Sequence, residues 1–294
     1  MRQRKGPWER MPLRSGLDLL RRARAEGYAV GAFSIHTPEM VDAVFRAAES
    51  AQAPILLQVG RRAVRHAGVE ACCAWVRERA EHSPVPACLH LDHAESFEAV
   101  VRGLRAGCTS VMYDGSDLPL AENAARTAEI VRVAHAAGVP VEAEVGRVGG
   151  IEDDISVEEA EARLAGAQAC AQFVADTGCD SLAPAIGSVH GLGTATPRLR
   201  LDLLRAIAAA VPLPLVLHGG SGLEPEQMRA AVAAGIAKIN IDTELRRAFV
   251  VGLGDGLRAH GPADDPFPAL EVAAAAVAAQ VAVRIAEFGS AGRA

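Results

Sequence analysis

The sequence has no block of like charge, no long uninterrupted apolar run, no C-x-x-C pair and almost no lysine. The first absence argues against a disordered chain. A formal net charge of −6 argues against nucleic acid or an anionic membrane as the main partner. The second absence leaves no evident bilayer span. The nearest stretch, Val272–Val283, is broken by Gln280 and followed by Arg284. Cys72, Cys73, Cys88, Cys108, Cys170 and Cys179 sit among apolar residues. They read as buried free thiols of a reducing compartment, the cytoplasm, rather than as disulfides or a thiolate metal site. The basic start, Met1–Arg14, lacks the apolar stretch of a secretory signal. Lysine occurs at Lys5 and Lys238 alone, which restricts any chemistry built on an amine nucleophile. No G-x-G-x-x-G follows the first apolar run, so the usual mark of a dinucleotide-binding open sheet is missing.

Half of the 294 residues are apolar, enough for a sizeable core. They recur as short runs, each followed by a polar or glycine turn and an amphipathic segment. The eight runs are Ala29–Phe33, Pro54–Val59, Val85–Leu91, Thr109–Tyr113, Pro140–Val145, Ser181–Ile186, Leu213–Leu217 and Ala237–Ile241. Their continuous apolar character suits parallel strands buried on both faces. Between them lie helix signals. Thr37 caps a helix with Pro38 at its first position, and Ser96 caps one carrying Phe97, Val100, Val101 and Leu104, stopped by Gly107. Gly138 ends Leu120–Ala137, while Pro225 opens and Gly235 closes the helix before the last run. Eight strands alternating with helices predict a single-domain α/β protein, a (β/α)8 TIM barrel spanning residues 11–294. Residues 1–10 read as a loose extension, and the Ala-rich tail beyond Gly261 is expected to pack back on the barrel.

In such a barrel the chemistry lies where strands end. His93, His190 and His218 follow runs three, six and seven and therefore meet at one rim. Three imidazoles with an open fourth position form a catalytic zinc arrangement, and nitrogen ligands admit other divalent transition metals. His90 lies one layer deeper and reads as structural. His36, His66, His82, His135 and His260 carry no stronger claim than surface or packing roles, although His36 is near the rim. Strand alternation puts Asp92 on the inward face with His90. There it is either a general acid/base or a group that orients an imidazole. Glu142 and Glu144 share a face; Glu144 is expected near the metal, and Glu142 is equally consistent with structural ion pairing.

The segment Gly146–Asp154 has glycines flanking a compact acidic group, the composition of a lid that closes on substrate and brings Glu152 with it. His218-Gly219-Gly220-Ser221-Gly222 and Asn240-Ile241-Asp242-Thr243 follow runs seven and eight, where barrels commonly hold phosphate on exposed backbone N–H groups and a helix start.

At these residues the sequence resembles the class II, metal-dependent fructose-bisphosphate aldolase family, closest to its tagatose-bisphosphate (ketose-bisphosphate) branch. The matching stretches are GYAVGAF (27–33), LHLDH (89–93), VMYDGSDLP (111–119) with Glu122-Asn123, VEAEVGRVGGIEDD (141–154), DSLAPAIGSVHG (180–191), VLHGGSG (216–222) and AKINIDTEL (237–245). The resemblance implies a zinc-dependent lyase, a homodimer or homotetramer, that reversibly cleaves a ketose phosphate into dihydroxyacetone phosphate and an aldehyde. It implies that His93, His190 and His218 bind the cation, with Glu144 beside it. Asp92 would serve the hydroxyl that becomes the aldehyde oxygen, and Glu152 would take the proton from dihydroxyacetone phosphate. Gly191, Gly219, Ser221, Asn240, Asp242 and Thr243 would hold the triose phosphate, assisted by sodium or potassium. Ser34 joins them in place of the family's usual Asn. The hard step is a carbanion beside a carbonyl, which a Lewis acid stabilises as an enediolate.

Some positions depart from the family. Leu192-Gly193-Thr194-Ala195 replaces an aromatic or lysine-bearing segment, and Asp265-Pro266-Phe267 and Glu271 stand where arginines meet the second phosphate. Arg61 and Arg62, on the aldehyde side, are available to compensate, so the aldehyde partner is open: phosphorylated, non-phosphorylated or unusual. Two competing readings remain. A Schiff-base aldolase would have to use Lys238, and a weakly catalytic metal- and phosphate-binding homologue would keep the sites without the turnover.

Overall fold

In chain order the elements are α1 (Gly16–Glu26), β1 (Val30–Ser34), α2 (Pro38–Ala51), β2 (Ile55–Val59), α3 (Arg61–Ala67), α4 (Val69–Ala80), β3 (Ala87–Ala94), α5 (Phe97–Ala106), β4 (Ser110–Tyr113), α6 (Leu120–Ala136) and β5 (Val141–Val145). They continue with β6 (Gly149–Glu152), β7 (Ile155–Val157), α7 (Ala167–Thr177), β8 (Ser181–Pro184), β9 (Val189–His190), α8 (Leu201–Ala210), β10 (Leu215–Leu217), α9 (Pro225–Ala233), β11 (Ile236–Ile241), α10 (Thr243–His260) and α11 (Phe267–Glu287). The structure, a computed structural model, describes residues 13–152, 155–157, 164–191, 198–261 and 265–294; of residues 150–152 and 155–157 it describes the backbone. The stretch 1–10 expected to be loose therefore lies outside the described residues.

The eight runs become the eight strands of a closed barrel in the order β1-β11-β10-β8-β5-β4-β3-β2, a (β/α)8 TIM barrel. Each neighbouring pair is parallel. Outward residues such as Leu57, Leu89, Val111, Ala143 and Ile239 join the large core under the helices. At the N-terminal mouth Leu19, Leu20 and Ala23 of α1 pack on Val30, Ala32, Leu56, Cys88 and Ala237 and close the barrel floor. All six cysteines are buried free thiols.

The helix starts follow local chemistry. Thr37 Oγ1 accepts from the Met40 N–H at 3.3 Å, and Ser96 Oγ accepts from the Ala99 N–H at 3.1 Å. Gly107 ends α5 at φ +91°, a backbone state that a side chain disfavours. Phe97 differs from expectation. It is 39% exposed, because α5 turns Val100, Gly103 and Ala106 to the barrel instead.

No uninterrupted apolar run of membrane length exists, but α11, interrupted by Glu271, Gln280 and Arg284, has the length and composition to cross a bilayer at a mean hydropathy of 1.7. Its apolar side is spent within the fold, against α2, α10 and β1. A Cβ at Gly252 would fall 2.9 Å from the Ala273 Cα, and one at Gly256 2.7 Å from the Ala269 Cα, so α10 and α11 touch backbone to backbone. Gly256→Ala is expected to lower stability by about 1–3 kcal/mol through overpacking. Gly254→Ala, whose methyl meets only the Arg258 side-chain end at 3.5 Å, is expected to raise it by about 0.5–1 kcal/mol. Urea unfolding of the two variants checks the opposite signs.

Candidate active site

Period-two alternation on three strands gathers polar side chains along the barrel axis. Leu89 and Leu91 of β3 face the outer core while His90 and Asp92 face inward; Ala143 and Val145 of β5 face out while Glu142 and Glu144 face inward. On β11 Ile239 and Ile241 face out, and Lys238 and Asn240 face inward. Glu142 stands at the centre. Lys238 Nζ donates to its carboxylate oxygens at 2.9 and 3.0 Å, and His218 Nε2 lies 3.0 Å from Oε1. Burial opposes charge on Glu142, but the Lys238 ammonium and the His218 hydrogen bond outweigh it and hold the carboxyl well below its usual range. His90 is pushed below its ordinary value by burial and by the Lys238 charge. It keeps Nδ1 on Ser110 Oγ at 2.9 Å, the structural role expected for it.

Regular alternation would send His93 outward with Leu91. The structure prevents this with a register shift between Leu91 and Ala94 and a left-handed φ of +48° at His93. His93 thus turns back to the axis, and its Nδ1 pairs with Asp114 Oδ2 at 2.7 Å. Burial opposes ionisation of Asp114, yet the His93 hydrogen bond holds its carboxyl far below the usual range. The imidazoles of His93, His190 and His218 converge, with ring centroids 4.7–6.0 Å apart. One nitrogen from each lies within 4.8 Å of the others, and Glu144 is within the same reach of His93 and Asp114.

With Nε2 of His218 committed to Glu142, its Nδ1 faces Glu144 Oε2 at 3.1 Å, and both atoms are buried without a hydrogen bond. An imidazole nitrogen and a carboxylate oxygen at this separation are close enough to share one cation. Burial disfavours charge on His218, but the carboxylates of Glu142 and Glu144 outweigh it and push the ring up to about 9. An imidazole–carboxylate donor set of this kind fits a divalent transition metal. Asp92 lies beside it, 4% exposed, with its Oδ1 accepting from Asn240 Nδ2 at 3.4 Å.

The segment read as a lid contains a hairpin, β6 paired antiparallel with β7, and β6 also pairs in parallel with β9. Gly150 registers with His190, so the hairpin is joined to the backbone of one of the three histidines. The Glu152 backbone pairs with Ile155; its side chain, with Asp153 and Asp154, lies outside the described residues, as does the departing segment 192–195.

On the opposite side Gly219 has φ +64°, and a Cβ there would meet the Val189 carbonyl at 2.6 Å. Glycine is needed for the turn after β10 to pass this close to β9. Ser221 Oγ accepts from the Asp242 N–H at 3.3 Å, and Thr243 opens α10. Gly191 ends the stretch described after β9, at φ +86°, and Ser34 is buried at the end of β1. His36 is corrected from a packing role. Its Nε2 pairs with Asp242 Oδ1 at 2.8 Å, and Arg246 Nε donates to the same carboxylate at 2.9 Å. Burial raises the Asp242 carboxyl, but these two partners prevail and lower it.

Sequence reasoning missed Asp114, Arg246 and Gln58. Asp114 directly follows a barrel strand, a position that marks chemistry in this fold. Arg246 is one turn into α10 from Asp242, a spacing that was legible. Gln58 is fully buried with neither amide atom hydrogen-bonded, registered between Ser34 and His90. A glutamine inside an apolar run was its signal. Lys238, needed by the Schiff-base reading, is wholly buried beneath the site with its Nζ on the Glu142 carboxylate, without the access that chemistry requires.

The sequence profile described as "Fructose-bisphosphate aldolase class-II" matches residues 14–293. A "Fructose-bisphosphate aldolase" of Thermus caldophilus is 40% identical over 303 residues, covering 95% of this chain and 99% of that relative. The crystal structure of the YdjI aldolase from Escherichia coli K12 superposes with a TM-score of 0.86 at 32% identity, covering 96% of this chain and 99% of that one. The "Fructose-bisphosphate Aldolase (Fba)" structure from Campylobacter jejuni shares the fold with a TM-score of 0.84 at 22% identity, over 98% of each chain.

Removing the carboxylate that orients His218 should loosen metal binding. Glu142→Gln combined with Lys238→Met deletes the ion pair without leaving a lone buried charge. The double variant is expected to bind zinc about 10–100-fold more weakly, measured by chelator competition with the folded metal-free protein.

Proposed function

The chain belongs to the class II fructose-bisphosphate aldolase family, a family of metal-dependent aldolases, and from this membership we propose that it reversibly cleaves a ketose phosphate into dihydroxyacetone phosphate and an aldehyde. The observation that carries the reading is the convergence of His93, His190 and His218 beside a buried inward carboxylate, Asp92. Those histidines, with Glu144 adjacent, would hold the cation, which we assign as zinc. Such a cation supplies Lewis-acid polarisation of the ketose carbonyl, the chemistry that a carbanion next to a carbonyl requires.

In the cleavage direction Asp92 takes the proton from the hydroxyl that becomes the aldehyde oxygen. The carbon–carbon bond breaks, its electron pair passes to the triose fragment as an enediolate, and Glu152 returns a proton to that carbon. Condensation runs the same transfers in reverse, with Glu152 as base and Asp92 as acid. Asn240, already bonded to Asp92, orients that carboxylate. Gly191, Gly219, Ser221, Asp242 and Thr243 form the triose-phosphate side with the α10 N-terminus, and a sodium or potassium ion assists the phosphate there. Ser34 and Asn240 meet the sugar between the two sides. A homodimer or homotetramer in the cytoplasm fits the buried reduced thiols and the exposed Val250 and Leu257 on α10.

The zinc-loaded protein should exchange a dihydroxyacetone phosphate hydrogen with solvent and condense that triose with an aldehyde; chelation should abolish both. Asp92→Ala is expected to lower condensation by about 10²–10⁴-fold and to cost more of it than of exchange, because exchange depends on the other acid. Full activity after metal removal, with a borohydride-trapped adduct at Lys238, would refute the reading.

A further inference from the structure

The ladder between β4 and β5 stops one residue short of the site. Its last registered pair is Tyr113 with Ala143, and the residues that follow on the two strands are Asp114 and Glu144. Asp114 Oδ2 pairs with Nδ1 of His93, Glu144 Oε2 faces Nδ1 of His218, and His93, Asp114 and Glu144 offer atoms within 4.8 Å of one another. The separation of these two carboxylates therefore bears on two of the three imidazoles. It is set where main-chain pairing of the two strands has ended.

A side chain spans the gap. Asn123, the fourth residue of α6, is 2% exposed, and its Nδ2 donates to the Glu144 carbonyl at 3.0 Å. Its Oδ1 accepts from the Thr127 hydroxyl one helical turn on, also at 3.0 Å. A carbonyl on one side and a hydroxyl on the other fix which way the amide points. The same amide touches the turn that carries Asp114, because a Cβ on Gly115 would fall 2.5 Å from Asn123 Oδ1. That turn is short and closed. The Ser116 N–H donates to Asp114 Oδ1 at 3.0 Å, and the Asp114 N–H donates to the Ala94 carbonyl at 2.8 Å. A displacement of Gly115 is therefore passed to Asp114 and on to His93. Glu122, the neighbour of Asn123, turns instead to solvent and pairs with Arg126. Leucine at residue 123 would match the volume of the amide and remove the donor to Glu144.

We propose that Asn123 is a positioning residue of the metal centre, bridging β4 and β5 beyond the end of their ladder. Its amide sets the distance between Asp114 and Glu144, and through Asp114 it sets the aim of His93. The inference rests on the aldolase reading for the cation that these groups serve.

The test uses the whole chain, stripped of metal and reloaded with zinc or with cobalt(II), whose visible absorption bands report ligand geometry. Zinc affinity is read by chelator competition, and stability by urea unfolding. Asn123→Leu is expected to bind zinc about 10–100-fold more weakly and to shift the cobalt bands. Gly115→Ala, whose methyl would drive against the amide, is expected to shift the same bands with Asn123 chemically intact. Ile130→Val is the control, since it thins the packing of the same helix at a buried position away from the amide. It should lose stability and keep both the zinc affinity and the cobalt bands. A merely structural role for Asn123 would make affinity follow stability across all three variants, and that result overturns the inference. Zinc affinity within twofold of wild type and unshifted bands in Asn123→Leu and Gly115→Ala also overturn it, and leave the aldolase reading standing if the wild type binds zinc and exchanges a dihydroxyacetone phosphate hydrogen. Gly115→Ala decides alone if Asn123→Leu does not fold. A folded wild type that binds no zinc overturns both.

Discussion

A carboxylate buried in the axis of a barrel stays ionised only if a positive partner is held against it, and the pairing of Glu142 with Lys238 meets that condition. Neither group is exposed, and each of the two carboxylate oxygens receives the ammonium at 3.0 Å or less. The ion pair fixes the carboxylate plane, and that plane determines which nitrogen of His218 is occupied from below. The other nitrogen is left pointing to the rim with Glu144. A neutral side chain at residue 142 would leave Lys238 as a lone buried charge and His218 without its anchor. The three converging imidazoles are thus supported from beneath by a polar layer in an otherwise apolar interior.

The rim above that layer is asymmetric. On one side the turn after β10, β11 and the start of α10 present glycines, hydroxyls and the Asp242 carboxylate held by His36 and Arg246. On the other, β3 ends in Asp92 and His93, the latter held by Asp114. The hairpin of β6 and β7 is tied to this rim where β6 pairs with β9, the strand of His190.

The barrel was legible because its signal is local and repeated. Eight apolar runs with glycine and proline punctuation each map onto one strand, and Thr37 and Ser96 cap the helices their positions predicted. Asp92, Glu142, Glu144, Lys238 and Asn240 could be placed inward because a strand has period two. The rule reached its limit at His93. Its backbone lies at φ +48° in a register shift, and simple alternation assigns that side chain to the wrong face. Only its place at the end of run three put it at the rim. Asp114 and Arg246 were visible as residues but not as partners, since their roles depend on His93 and Asp242 lying close in space. Gln58 was hidden in a run whose apolar character defined the strand.

What the sequence by itself determined is the alternation of strand and helix, the inward stripe on β3, β5 and β11, and the family resemblance of the rim motifs. Those features depend on neighbours a few residues apart, where covalent geometry sets the distances. Tertiary structure alone decided that Glu142 meets both Lys238 and His218, and that His36 belongs to Asp242. These contacts join residues dozens to hundreds of positions apart. Closure of the barrel and the twist of its strands fix the distances between them, and no local pattern encodes those distances.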